Sequence, residues 1–112
     1  MLYRYELSVD GKKQDIGFLM GLSGIDNPKT KKLIQNFDKH LPFPPIKQNT
    51  DTKSFFTEEG IRFFKTDINR IIKFYHNHGL YDIDIITLDE KNLRDENVIY
   101  KDKFQTIIKN YL

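Results

Sequence analysis

The chain contains no cysteine, no tryptophan and no alanine, and valine occurs only at Val9 and Val98. The missing thiols exclude disulfides, cysteine-ligated zinc, iron–sulfur clusters and thiol nucleophiles. The missing alanine and scarce valine leave isoleucine, leucine, phenylalanine and tyrosine to fill the core. A chain rich in Ile, Phe, Tyr, Asn and Lys uses AT-rich codons, which fits a bacterial or phage genome. No uninterrupted apolar run comes near the roughly 20 residues of a membrane span, and residues 1–6 form no apolar signal core. The expectation is therefore a cytoplasmic protein with no membrane partner. Neither sign of charge prevails: 18 Lys/Arg face 16 Asp/Glu, a net charge of +2, too small to imply a polyanionic partner by itself. There is no HExxH, no P-loop and no Ser/His/Asp arrangement. No reaction is named by these residues and no cofactor is expected.

A chain of 112 residues fits one domain, 1–112, with a core of its own. Residues 3–9 alternate, with Tyr3, Tyr5, Leu7 and Val9 on one face and Arg4, Glu6 and Ser8 on the other, as in a half-buried strand. Asp10-Gly11 signals a two-residue hairpin turn with both residues at positive φ. That register places Val9 opposite Lys12, Leu7 opposite Gln14, Tyr5 opposite Ile16 and Tyr3 opposite Phe18, with the second strand ending near Met20 and a loop following. Asn27-Pro28 marks a helix start, and Leu33, Ile34, Phe37 and Leu41 give it an apolar face ending at Pro42. Pro42, Pro44 and Pro45 form a rigid connector, followed by a polar loop. Residues 54–56 suggest a short strand. The spacing then predicts one long helix over 57–79, capped by Thr57 and stopped by Gly79. Strands are expected over 81–88 and 98–100. Asp102 with Gln105 reads as a capping box opening an amphipathic terminal helix through Phe104, Ile107, Ile108 and Tyr111. The expected fold is α+β: an N-terminal and a C-terminal hairpin form an antiparallel sheet packed by about three helices, in the order ββα(β)αββα.

The long helix carries the most informative pattern. Residues about 100° apart place Ile61, Phe63, Phe64, Ile68, Ile71, Ile72, Phe74 and Tyr75 on one half of its circumference. The other half holds Arg62, Lys65, Arg70 and Lys73, and no acid past the first turn. Surface helices commonly gain from i,i+4 pairs of opposite sign; this stripe forgoes that gain. Lys29, Lys31 and Lys32 crowd the first turn of the preceding helix, against its dipole. These seven residues are the candidate binding face. Asp67 falls inside the apolar arc and is the candidate general base. His76, His78, Asp82 and Asp84 are the best candidate metal ligands, although histidines two apart on a helix diverge. Arg4, Glu6 and Ser8 are expected on a solvated sheet face, and Tyr3, Phe43, Phe55 and Tyr81 are the candidate exposed aromatics.

Charge also divides along the chain. Residues 1–80 hold 13 Lys/Arg and 9 Asp/Glu, whereas residues 81–112 hold 5 and 7. Such a dipolar domain is open to homodimerisation, head to tail or by two-fold symmetry. Three function classes follow. The leading expectation is a non-enzymatic interaction protein that binds and inhibits an acidic protein surface, as accessory proteins of phages and mobile elements do. The alternatives are nucleic-acid binding through the same basic residues, and a small enzyme using Asp67 or the His/Asp group. The loops at 25–28 and 42–53 are further candidate recognition surfaces.

Overall fold

The computed structural model describes residues 1–23, 25, 28–41, 52–79 and 81–109, without the side chains of 13–16, 20 and 23. The chain is a small α+β domain. Its elements are β1 (Leu2–Val9), β2 (Lys12–Gly17), α1 (Phe18–Ser23), α2 (Pro28–His40), β3 (Thr52–Phe56), α3 (Glu58–Phe63), α4 (Lys65–His78), β4 (Asp82–Leu88), β5 (Val98–Lys101) and β6 (Gln105–Lys109). Two single 3₁₀ turns, Glu90–Asn92 and Asp95–Asn97, join β4 to β5. The strands form one six-stranded antiparallel sheet. β1 is flanked by β4 along its whole length on one side. On its other side lie β2, near the hairpin, and β3, at Tyr3↔Phe56. β6 and β5 extend the sheet beyond β3.

The hairpin forms as expected. Asp10 and Gly11 both adopt positive φ, 51° and 77°, and Val9 faces Lys12. The expected register holds through Ser8 opposite Lys13 and fails beyond that. A bulge between Ser8 and Glu6 brings Glu6 opposite Gly17, and β2 ends there. Phe18–Ser23 is helical, not strand and loop. The reason is packing: Phe18 turns into the core and meets the rings of Tyr5, Phe37 and Phe56, with centroids 5.0, 6.2 and 6.0 Å away. The vacated place beside β1 is taken by β3.

Two further expectations are corrected. The helix over 57–79 is broken at Phe64, whose φ and ψ of −96° and 11° separate α3 from α4. Its ends are as read from the sequence: Thr57 Oγ1 accepts from the Gly60 amide, and Gly79 stands in the left-handed conformation. The expected terminal helix is strand β6. Asp102 Oδ1 does accept from the amides of Phe104 and Gln105, at 2.8 and 2.9 Å, but in a turn between β5 and β6. An Asx-turn and a helix cap use the same bonds, so the signal did not distinguish them. β6 is a central strand with buried Gln105, Thr106 and Ile107, which suits its β-branched residues. Asn27, the proline connector and the polar residues through 51 lie outside the described residues.

All four helices lie on one face of the sheet. The core between the layers is built from Leu7, Phe18, Leu22, Phe37, Leu41, Phe56, Phe64, Ile68, Ile71, Phe74 and Tyr75. Phe37 stacks on Phe64 with centroids 4.6 Å apart. The Tyr75 hydroxyl donates to the Phe18 carbonyl at 2.6 Å across the core, and burial pushes that hydroxyl's pKa up.

The start of α3 rests on the β5–β6 turn. The Thr57 amide donates to the Phe104 carbonyl at 3.0 Å, and its hydroxyl donates to the Lys103 carbonyl at 2.5 Å. A Cβ on Gly60 would stand 2.2 Å from that same Phe104 oxygen. Backbone here admits only glycine. Gly60→Ala is expected to destabilise the protein by about 2–4 kcal/mol, the range of overpacking and lost anchoring contacts, measured as a lower urea midpoint. Unchanged stability would show that the turn yields freely.

Asp102 gives a pH signature. Burial pushes its carboxyl up, but bonds from the Tyr100 hydroxyl and from the Phe104 and Gln105 amides outweigh burial and hold it below the usual carboxylate value. A carboxyl depressed in the folded state adds stability above its unfolded pKa, and that stability is lost as pH falls through the folded pKa. Asp102→Asn is thus expected to be less stable than wild type at pH 6 and to converge with it by about pH 2–3. Denaturation curves that stay parallel over that range would contradict this.

Candidate binding face

The helix layer presents the basic residues on its outer surface. Lys29, Lys31 and Lys32 on α2, Arg62 on α3, and Lys65, Arg70 and Lys73 on α4 are all exposed, as is Lys39. Two contacts fix how the helices lie against each other. Asn36 Nδ2 donates to Asp67 Oδ2 at 2.8 Å, and the His40 ring meets Phe63 at 5.1 Å. Residues 36 and 40 therefore match 67 and 63, so α2 and the α3–α4 pair run antiparallel. Extending that match places Lys32 beside Arg70 across the seam.

Helical phase then sorts the cations. On α4 the core-facing line runs through Phe64, Ile68, Ile71 and Tyr75; Lys73 points away from it, Arg70 leans toward α2 and Lys65 toward the far flank. On α2 the core-facing line runs through Thr30, Phe37 and Leu41; Lys39 and Lys32 point outward, Lys29 lies at the seam and Lys31 on the far flank. The structure thus joins Lys29, Lys32, Arg70 and Lys73, with Arg62 at the α3 end and Lys39 from α2, into one face. Lys65 and Lys31 are set at its two margins. Among the described residues, Lys31, Lys32, Lys39, Arg62, Lys65, Arg70 and Lys73 form no ion pair. With about 1.5 Å of rise per residue, the face is about 20 Å long.

An aromatic that the sequence reading put in the core lies in this face. Phe63 is 47% exposed, stacked on Phe104 at 4.6 Å and edge-on to His40 and Phe64. The Lys103 ammonium sits 4.8 Å over the Phe104 ring. Phe63 and Arg70, seven residues apart, share a side. The signal was available: Phe63 lies about 100° from Phe64 on the helix wheel, at the margin of the apolar arc. The break at Phe64 then completes its exposure. Of the candidate exposed aromatics, for each of which a place in the core is the first expectation, Phe55 is buried and Tyr3 and Tyr81 are half-buried, while Phe43 lies outside the described residues.

The other candidate groups do not assemble. Asp67 is half-buried in the α2–α4 seam and its described partner is the Asn36 amide, an interhelical clamp. His78 Nδ1 lies 2.9 Å from the Phe74 carbonyl and its ring lies on Phe74. His76 and His78 belong to the helix layer. Asp82 and Asp84 pair across β4–β1 with Ser8 and Glu6, on the sheet face away from the helices. Among the described residues, no three side chains of metal-ligating type converge.

That far sheet face departs from the solvated surface expected. Glu6 is only 4% exposed and Ser8 is equally enclosed. Arg4 Nε donates to Glu6 Oε2 at 2.7 Å, and Lys53 Nζ lies 3.7 Å from the same oxygen. Arg4 Nη1 also donates to the Ser54 carbonyl at 3.2 Å. Its guanidinium lies over Gly17, where a Cβ would stand 3.4 Å away. The missing side chain makes room for the charge, and the cations offset the like charges of Glu6 and Asp84 facing one another.

Removing Arg4 leaves the buried Glu6 carboxylate with only the longer contact to Lys53. Arg4→Ala is expected to destabilise by somewhat less than the roughly 3–5 kcal/mol of a wholly uncompensated buried charge, and Arg4→Met with Glu6→Met by less than that single change. A double variant weaker than Arg4→Ala in urea unfolding would contradict the assignment of this cluster as structural. No protein-family model, curated protein or solved structure matches the chain, so the functional reading rests on the chemistry of the basic face.

Proposed function

We propose that this is a non-enzymatic interaction protein whose α2/α4 face docks on an acidic surface of another protein. The observation that carries the reading is the face itself: Lys32, Lys39, Arg62, Arg70 and Lys73, exposed and without ion pairs among the described residues, beside a half-exposed phenylalanine. Arg and aromatic side chains at the centre of a patch supply most of an interface's affinity, and surrounding lysines steer association. Phe63 and Arg70 are the anchors; Lys32, Lys39, Arg62 and Lys73 are the rim. An acidic protein suits this face better than a nucleic acid. One side of Phe63 is already covered by Phe104, leaving a single half-ring where single-strand binders use several stacking platforms. The net charge of +2 and the acidic residues after 81 also oppose a long polyanion. The setting that fits this composition is a phage or mobile element of a bacterium, where such binding blocks a host activity.

The test is affinity capture from a nuclease-treated bacterial lysate with wild type, Lys32→Glu/Arg70→Glu/Lys73→Glu and Phe63→Ala. All four substituted residues are exposed, so folding is expected to be kept. The expected result is an acidic protein captured by wild type at low salt, lost with the charge reversal and weakened at least tenfold with Phe63→Ala, equal to about 1.4 kcal/mol. Capture unaffected by both variants, or, in a parallel capture from untreated lysate, recovery of nucleic acid in place of protein, would overturn the proposal.

A further inference from the structure

Among the described residues the sheet protects two of its free edges and leaves the third without a strand partner. β5 is four residues long, bulged at Val98/Tyr100 and ended by Lys101. β2 carries Lys12 and Lys13 and is bulged against β1. Short strands, charged side chains, lysine above all, and bulges are the devices by which sheets avoid edge-to-edge association. β4 has only two aspartates, both in its first half. Its sequence, Asp-Ile-Asp-Ile-Ile-Thr-Leu, holds no lysine, proline or glycine, and it pairs with β1 through seven consecutive residues without a bulge. Among the described residues β1 is its only strand partner. At its centre Ile85 is 59% exposed, the most exposed large apolar side chain described.

We infer that β4 is the docking strand for a second copy of this chain, paired antiparallel about a two-fold axis at Ile85. The sequence of the strand is compatible with itself in that register. Asp82 comes opposite Leu88, Ile83 opposite Thr87, Asp84 opposite Ile86, and Ile85 opposite its own copy. No acid faces an acid, which is the cross-strand arrangement that would oppose pairing. The acidic half of each strand lies along the uncharged half of the other. The same register carries Asp89 of one copy to the level of Tyr81 of the other, at the end of α4 that bears His76 and His78. The two most exposed isoleucines meet on the helix side of a continuous twelve-stranded sheet. A symmetric pair closes on itself, so the open edge is consumed without forming a fibre. An extended peptide from another protein would need pockets for its alternate side chains to be bound specifically, whereas a second copy brings a strand already matched to this register. The two-fold leaves both basic faces on the same side of the dimer and does not use them, so this inference stands apart from the proposed function.

Seven residues of edge pairing make an interface below the roughly 1,200–2,000 Å² of stable complexes, and the dimer is expected to dissociate on dilution. Light scattering during size exclusion, loaded at about 200 and about 2 μM to bracket a micromolar Kd, tests this. The mass should fall from twice 13.4 kDa toward 13.4 kDa, and Ile85→Lys should be monomeric at both loads. Because the chain has no cysteine, Ile85→Cys places a single thiol on the axis. Mild oxidation should give a covalent dimer, while Ile99→Cys, on the β5 edge, should not. A wild-type monomer at the higher load, a dimer that survives Ile85→Lys, or equal cross-linking of the two cysteine variants would each overturn the inference.

Discussion

The layer of helices takes its position from one close approach of backbone to backbone. The first turn of α3 lies on the carbonyls of Lys103 and Phe104, held by the Thr57 amide and hydroxyl and made possible by the absent side chain of Gly60. This contact joins the helix layer to the β5–β6 turn, whose own shape depends on Asp102. It aims Phe64 into the core and turns Phe63 out to stack on Phe104. From there α4 runs along α2, clamped by Asn36 and Asp67. The orientation of every cation on the outer face follows from this one docking.

Much of this was legible in the residues. Period-two alternation gave β1 and β4, Asp10-Gly11 gave the hairpin, and Thr57 and Gly79 gave the helical ends, because each signal is local. What failed was decided by contacts distant in sequence. Nothing near Phe18 announces that it will meet Phe37 and Phe56. Asp102 makes the bonds of a helix cap, and only the place of β6 between β3 and β5 determines that a strand follows. The break at Phe64 has no proline or glycine to mark it. The candidate cations were readable as a stripe, but their union with α2 needed the helix pairing, and Phe63 was misplaced because an apolar residue at the margin of an arc is assigned to the core by default.

Charge is organised on both faces of the sheet, to different ends. On the far face Arg4 and Lys53 offset the charges of Glu6 and its cross-strand neighbour Asp84, the arrangement expected where a buried charge must be compensated. On the helix face Lys31, Lys32, Lys39, Arg62, Lys65, Arg70 and Lys73 stand exposed and, among the described residues, form no ion pair. The same small net charge thus conceals one satisfied cluster and one unsatisfied surface. The proposed function rests on the second, since a surface of one sign costs local stability unless a partner of the other sign offsets it.

Hydrogen–deuterium exchange on the protein alone and with its captured acidic partner measures that claim most directly. Binding through the basic face would slow exchange in 28–40 and 61–78 and leave 98–109 unchanged. Protection confined to the strands, with α2 and α4 exchanging as in the free protein, would contradict the account.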